Sequence, residues 1–170
     1  MRIRNTSRYN DVVVRELVTF GMRGVRTERL SVHVRNARNT AFRGMAYDDM
    51  PAISPASRLK TVDRLVTLGV GAPERFPCNG NGRYQRAPAI KLGDWREALI
   101  MLAAHEARHI WQYQYDKPRS EVDCERFAAR RLDAYRDHAS ACVFGGARCA
   151  SAGDVCCWSD DDLRVRLSRS

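Results

Sequence analysis

The sequence predicts a single α+β domain, and three observations support that class. An amphipathic helical segment near the N-terminus is followed by short alternating segments, and two further helical segments follow residue 94. The 170 residues contain no internal repeat or linker and are enough to bury one hydrophobic core. We therefore expect residues 1–138 to form the domain. Residues 139–170, richer in Gly, Ala, Ser and Cys, should form a peripheral tail.

The opening helix is predicted from "NDVVVRELVTFGMRGV", which begins at Asn10. Val12, Leu17, Val18 and Met22 approximate one apolar stripe at helical spacing. Asn10 or the aspartate after it can accept hydrogen bonds from the first free backbone N–H groups, as an N-cap does.

A small mixed sheet is predicted from the segments that follow this helix. "RLSVHVRN" alternates apolar and polar residues, as a half-buried strand does, and "AFRGMAY" is its expected partner across the turn at 36–40. "LKTVDRLVTLGVG" is ambiguous, and one interpretation is a short helix that leads into a third strand, "LVTLGVG". Two shorter extended pieces, "RYQ" and "PAIKL", are expected after the turn at 79–82.

The best-defined element begins at Asp94. In "DWRE", Asp94 is the expected N-cap and Glu97 stands three residues later, as in a capping box. The helix should run to about Tyr115, because Pro118 cannot continue it. A second helix is expected from about Arg119 to Asp137.

Charge and composition limit the partners and the compartment. The net charge of +9 is carried almost entirely by arginines scattered along the chain, which fits either a solvated surface or nucleic-acid contact. No window is apolar enough for a membrane span, and "MRIRNTSRYND" lacks the apolar region of a secretory signal, so a cytoplasmic protein is expected. None of the six cysteines shows C-x-x-C spacing, and we expect no disulfide framework.

The segment "MLAAHEARHIWQ" carries the pattern H-E-x-x-H. His105 and His109 are four residues apart, so on a helix their rings project from one face and can reach one zinc ion. Glu106 then points toward the water on the metal and can take its proton. A catalytic zinc ion needs a third protein ligand and one open position.

The third ligand is expected on the next helix, in "SEVDCE". Glu121 is favoured, Glu125 comes second and Asp123 third, because 121 and 125 share a helical face while 123 points away. Cys124 could be a soft ligand, but is better interpreted as a small residue that lets the helices approach.

"HEARH" followed by "SEVDCERFA" resembles the gluzincin metallopeptidases, and the small size and element order are similar to the single-domain minigluzincins. The resemblance implies a zincin-like core with an N-terminal helix, a small mixed sheet, an active-site helix and a glutamate helix. It further implies that His105, His109 and Glu121 bind one zinc ion and that Glu106 is the general base. Glu125 would then orient a zinc-binding histidine without binding the metal itself. An upstream edge strand that pairs with substrate is also implied, with "GRYQ" or "PAIKL" as its candidates.

Three functional hypotheses follow. The first is a small zinc metallopeptidase acting on a peptide or protein substrate. The second is a DNA-associated, SprT-like protease, suggested by the arginine surplus. That group uses a third histidine, but here no histidine lies between His109 and His138. The third is a non-catalytic, zinc-stabilised interaction protein. The metzincin continuation is excluded, because Gln112 and Tyr115 stand where that pattern requires Gly and His.

Overall fold

The computed structural model of the chain describes residues 1–47, 64–80 and 89–144. Three helices and six strands lie in these ranges: β1 (Arg2–Asn5), α1 (Asp11–Gly21), β2 (Leu30–Asn36), β3 (Phe42–Tyr47), β4 (Arg64–Val70), β5 (Cys78–Asn79), β6 (Lys91–Leu92), α2 (Trp95–Gln114) and α3 (Glu121–Phe144). The extended piece "RYQ" and the tail beyond residue 144 lie outside the described residues. No helix within these ranges is both long and apolar enough to span a bilayer.

The main sheet has four strands in the order β1-β2-β4-β3. β2 pairs in parallel with both β1 and β4, whereas β3 runs antiparallel to β4 at the sheet edge. β5 and β6 form a separate two-stranded antiparallel ladder. The predicted α+β class with a small mixed sheet is confirmed.

The predicted pairing of "RLSVHVRN" with "AFRGMAY" is wrong, because β4 lies between β2 and β3. Val66, Leu68 and Val70 of β4 are fully buried, whereas β3 alternates half-buried and exposed residues. Placing β4 at the centre therefore buries more apolar surface than a local hairpin would. The free energy gained by burying β4 exceeds what the short connection between β2 and β3 would gain by forming a local hairpin.

The two helices nearest the sheet pack on one of its faces. Val13 and Leu17 of α1 and Leu99 of α2 join Val32 and Val66 of the sheet in one buried cluster. α2 is buried on most of its circumference, because α3 packs on its other side through residues such as Ala128 and Leu132. The histidines of α2 therefore lie in a helix at the centre of the molecule.

The helix starts follow the expected capping chemistry. Asn10 accepts hydrogen bonds from the backbone N–H groups of Val12 and Val13, and Asp94 accepts from those of Arg96 and Glu97. The Glu97 carboxylate reaches back to the N–H of Gly93 at 2.7 Å, a capping-box contact displaced by one residue.

α3 extends beyond the predicted end at Asp137, reaching Phe144, and so crosses the expected tail boundary at residue 138. The segment "HASACVF" is rich in small residues that include alanine, the best helix former, and the first glycines after it are Gly145 and Gly146. The compositional shift therefore does not coincide with the end of the helix.

Gly21 sets the close crossing of α1 and α2. A Cβ atom added there would lie 2.6 Å from the Cβ of Ala103 and 3.0 Å from the carbonyl oxygen of Ile100. We expect Gly21→Ala to lower the free energy of unfolding by about 1–3 kcal/mol, because two packed helices must separate. Denaturant unfolding measures this, with the exposed Thr19→Ala on the same helix as the control. Equal stability of the two variants would contradict the close crossing.

Candidate functional site

His105 and His109 lie one turn apart on α2, with ring centroids separated by 5.0 Å. His109 is buried and His105 is partly exposed. Both rings direct their Nε2 atoms toward the first residue of α3. The spacing noted in the sequence thus places two imidazole nitrogens on one side of a buried helix.

Glu121 meets both histidines because of how α3 begins. Ser120 caps this helix: its Oγ accepts from the N–H of Asp123, and its carbonyl oxygen accepts from the N–H of Cys124. Glu121 is therefore the first helical residue. Its Oε2 lies 3.2 Å from His105 Nε2 and 3.3 Å from His109 Nε2.

The orientation of His109 is fixed by Gln112, which is almost fully buried. The N–H of Ser120 donates to Gln112 Oε1, and Gln112 Nε2 donates to the carbonyl oxygen of Ser120. The amide orientation follows from these two bonds. His109 Nδ1, 3.2 Å from Gln112 Oε1, must then carry a proton, so in the neutral imidazole Nε2 presents a lone pair toward Glu121.

Nε2 of His105 and Nε2 of His109 therefore approach the same carboxylate oxygen, Oε2 of Glu121, and all three atoms are potential metal ligands. Ligands about 2.0–2.1 Å from a tetrahedral zinc ion are separated from one another by about 3.3 Å. The two nitrogen–oxygen distances match that separation. A lone pair of His109 facing a carboxylate oxygen also requires a cation between them, either a proton or a metal ion.

Cys124 also lies beside the histidines. His105, His109 and Cys124 have potential ligand atoms within 4.8 Å of one another, and this group could hold a metal ion. The Sγ of Cys124 is 3.4 Å from His109 Nδ1, on the side of the ring opposite the nitrogen that faces Glu121. Burial, followed by the negative charge of Glu121, raises the pKa of this thiol and favours its protonated form.

Glu106 is buried between α2 and β3, with 4% of its surface exposed. Burial in the first place, and then the nearby Glu121 carboxylate, raises its pKa to about 8. Burial also lowers the pKa of His105 to about 4, with a smaller contribution from His109. In the metal-free protein, His105 is thus neutral at pH 7, while Glu106 retains its proton.

These shifts predict how stability depends on pH in the metal-free protein. The carboxyl group of Glu106 loses its proton near pH 4.5 in the unfolded protein but only near pH 8 in the folded protein. The folded state therefore becomes less stable relative to the unfolded state as pH rises between these two values. The lowered pKa of His105 changes the free energy of unfolding only below about pH 6.5, where the histidine of the unfolded protein takes up a proton. Between pH 6.5 and 8 we expect the free energy of unfolding to fall by about 2 kcal/mol, measured by denaturant titration in chelator. Glu106→Gln should remove this slope and exposed Glu74→Gln should keep it; an unchanged slope in Glu106→Gln would contradict the assignment.

The other two carboxylates proposed from the sequence do not contact the histidines through a described hydrogen bond. Asp123 accepts hydrogen bonds from Arg108 at 2.6 Å and 3.3 Å and from Gln112, and so faces away from the histidines. Glu125 is buried, and its Oε2 has no hydrogen-bond partner among the described residues. A role for Glu125 in orienting a histidine is thus not supported by a hydrogen bond.

Two residues of the site were missed in the sequence. Gly44 of β3 faces Glu106, and a Cβ added there would overlap the Glu106 carboxylate. A lone glycine inside a strand pattern is the available signal for such a close approach. Gln112 stands three residues after His109, a spacing that places two side chains on one helical face.

The edge strand beside Glu106 is β3, which was predicted only as a strand of the sheet. The family resemblance suggested "GRYQ" or "PAIKL" for that position. Residues 82–85 lie outside the described residues, and Lys91–Leu92 belongs to the separate ladder with β5.

The chain has no match among protein-family models, and searches of curated proteins and of solved structures likewise return no similar protein.

Proposed function

We propose that this protein is a small zinc-dependent metallopeptidase with a zincin-like core. The observation that carries the proposal is the convergence of His105 Nε2, His109 Nε2 and Glu121 Oε2 beside a buried Glu106. Two imidazoles and one carboxylate are a ligand set of catalytic zinc, in which the fourth position stays open. A zinc ion held there would polarise a water molecule and the scissile carbonyl.

Glu106 is the general base in this proposal. Its carboxylate follows the first histidine directly and lies against the backbone of β3 at Gly44. It takes a proton from the attacking water and delivers that proton to the departing amine. The raised pKa of Glu106 supports this role, because a carboxyl group that titrates near neutrality can both accept and release a proton.

β3 supports an extended peptide as the substrate. Within the described residues β3 pairs only with β4, and no described strand pairs with its other edge. An extended chain can add to such an edge as one more antiparallel strand. It would then pass alongside Glu106 and the histidines.

Peptide cleavage with and without a chelator tests the proposal. We expect the purified protein to bind about one zinc ion and to cleave members of a mixed peptide library. Chelation should abolish cleavage, and added zinc should restore it. Zinc binding and stabilisation without any cleavage would instead support a zinc-stabilised interaction protein.

Gly44→Ala tests the position of Glu106. The new Cβ would lie 3.0 Å from Glu106 Cδ even if the carboxylate oxygen rotated away, so the base must move. We expect kcat/KM to fall by about 100-fold, because a shift of about 1 Å has an effect of that size. Gly93→Ala is the control, since its Cβ would make only ordinary contact with Glu97 at 3.5 Å. Wild-type activity in Gly44→Ala would contradict this placement.

A second candidate function is protein cleavage on DNA, and the outer face of the main sheet favours it. The described helices pack on the opposite face, and alternation places Arg2, Arg4, His33, Arg35 and Arg43 on this one. No described acidic side chain pairs with these four arginines. Burial, and then Arg4 and Arg35, lower the pKa of His33, in keeping with a local excess of positive charge.

Salt dependence distinguishes this second candidate. An arginine surface that neutralises several phosphates should bind DNA at about 50 mM salt and lose affinity steeply by about 200 mM. The double variant Arg4→Gln, Arg35→Gln should reduce the salt slope, while Arg15→Gln on α1 should not. Absence of DNA binding at low salt would remove this candidate and leave the peptidase proposal intact.

A further inference from the structure

A cavity of about 190 Å³ lies directly beside Glu106 and His105. Its walls come from β3, α2, α3 and the segment around the β5–β6 ladder. Five of its eleven lining residues are apolar: Phe42, Ile90, Met101, Leu102 and Ala128. At about 30 Å³ per water, the volume corresponds to roughly six water molecules, comparable with one side chain of five to seven non-hydrogen atoms.

Glu125 is one of the residues that line the cavity. Glu125 is 9% exposed, and its Oε2 has no hydrogen-bond partner among the described residues. A buried carboxylate without a partner is costly, so such a group in a native structure requires an explanation. Burial and then the negative charge of Glu121 raise the pKa of Glu125.

Three arginines on or beside α2 and α3 have other partners. Arg108 pairs with Asp123, Arg119 with Glu121, and Arg136 with Glu97. Arg43 contributes to the lining, but its side chain is exposed and no ion pair joins it to Glu125 in the described part of the chain. Among the described residues, therefore, no ion pair supplies Glu125 with a cation.

We propose that this cavity binds the side chain of a lysine or arginine of the substrate, next to the scissile bond, and that Glu125 accepts its hydrogen bonds. The apolar lining residues suit the methylene stem of such a side chain, and Glu125 supplies an acidic group in the same lining for its charged end. The inference rests on the proposed peptidase function. It makes Glu125 a specificity-determining residue instead of a support for a histidine.

Cleavage of matched peptides tests this specificity. Peptides carry arginine, lysine, norleucine or glutamate in turn at each position flanking the cleaved bond. We expect the wild type to favour a basic residue over norleucine by at least about tenfold in kcat/KM at one of these positions. In Glu125→Gln that ratio should fall toward one, while exposed Glu74→Gln should keep it. Equal ratios in wild type and Glu125→Gln, or a preference for glutamate, would overturn the proposal.

A binding measurement separates the cavity from the chemistry. n-Butylguanidinium and neutral n-butanol are titrated into the full-length wild type and Glu125→Gln, with NMR of the methionine methyl groups as the readout because Met101 lines the cavity. We expect saturable binding of the cation that weakens in Glu125→Gln, and no such difference for butanol. Cation binding without cleavage of any peptide would retain the cavity assignment and reject the peptidase. No cation binding to the wild type would overturn the cavity assignment.

Discussion

Replacement of Glu106 by glutamine should reduce kcat/KM for peptide cleavage by about 10²–10⁴-fold while leaving zinc bound. The amide nearly matches the carboxylate in shape and so should fit the site beside Gly44, but it cannot accept a proton from water. Glu106 is not one of the three proposed zinc ligands, so the metal content should stay near one ion per chain. Steady-state cleavage assays and elemental analysis of the same preparations measure both quantities.

Glu74→Gln is the matched control for Glu106→Gln, because Glu74 is exposed on a short turn (Pro73–Arg75) and is not among the residues around His105 and His109. It should retain wild-type cleavage and metal content. Activity of Glu106→Gln at the wild-type level would reject the general-base role. Loss of zinc together with activity would instead place Glu106 among the ligands.

Zinc affinity should fall by more than about 100-fold in Glu121→Gln and by less than about tenfold in Cys124→Ala. The first estimate exceeds the 10–100-fold effect of losing a residue that only supports a ligand, because Glu121 is proposed to bind the metal itself. Cys124 faces the Nδ1 side of His109, away from the point where the two Nε2 atoms and the carboxylate meet. Competition with a chromophoric zinc chelator measures both affinities.

The reverse order of affinities would establish a site made of His105, His109 and Cys124, the other group whose ligand atoms lie close together. His109→Ala serves as the positive control, because it belongs to both ligand sets and should abolish tight binding in either case. Thermal unfolding of each variant in chelator shows whether the metal-free folds are comparable.

Local regularities made much of this arrangement predictable. The spacing of His105 and His109 places two imidazoles on one face of any helix, and the cap at Asp94 marks where that helix starts. Glu121 and Glu125 are four residues apart and so share a helical face, whereas Asp123 points to another side of the helix. In the structure Asp123 forms an ion pair with Arg108. Such statements need only the geometry of one helix.

The strand order and the residues around Glu106 could not be predicted from such local patterns. β1 has a single strongly apolar residue, Ile3, and gains its place only by parallel pairing with β2. β3 lies beside Glu106 only because β4 displaces it to the sheet edge, which is decided by the burial of β4. These contacts join residues far apart in the chain, so their energies depend on how the whole core packs.

By itself, the sequence determined the α+β class, the two capped helices and the helical face that carries both histidines. Only the tertiary structure decided that Glu121 meets both Nε2 atoms, that Gln112 orients His109, and that Glu125 faces a cavity. The physical reason is the distance along the chain over which each interaction acts. Helix geometry fixes directions within a few residues, whereas the choice among carboxylates on a neighbouring helix depends on how closely and at what rotation the two helices pack.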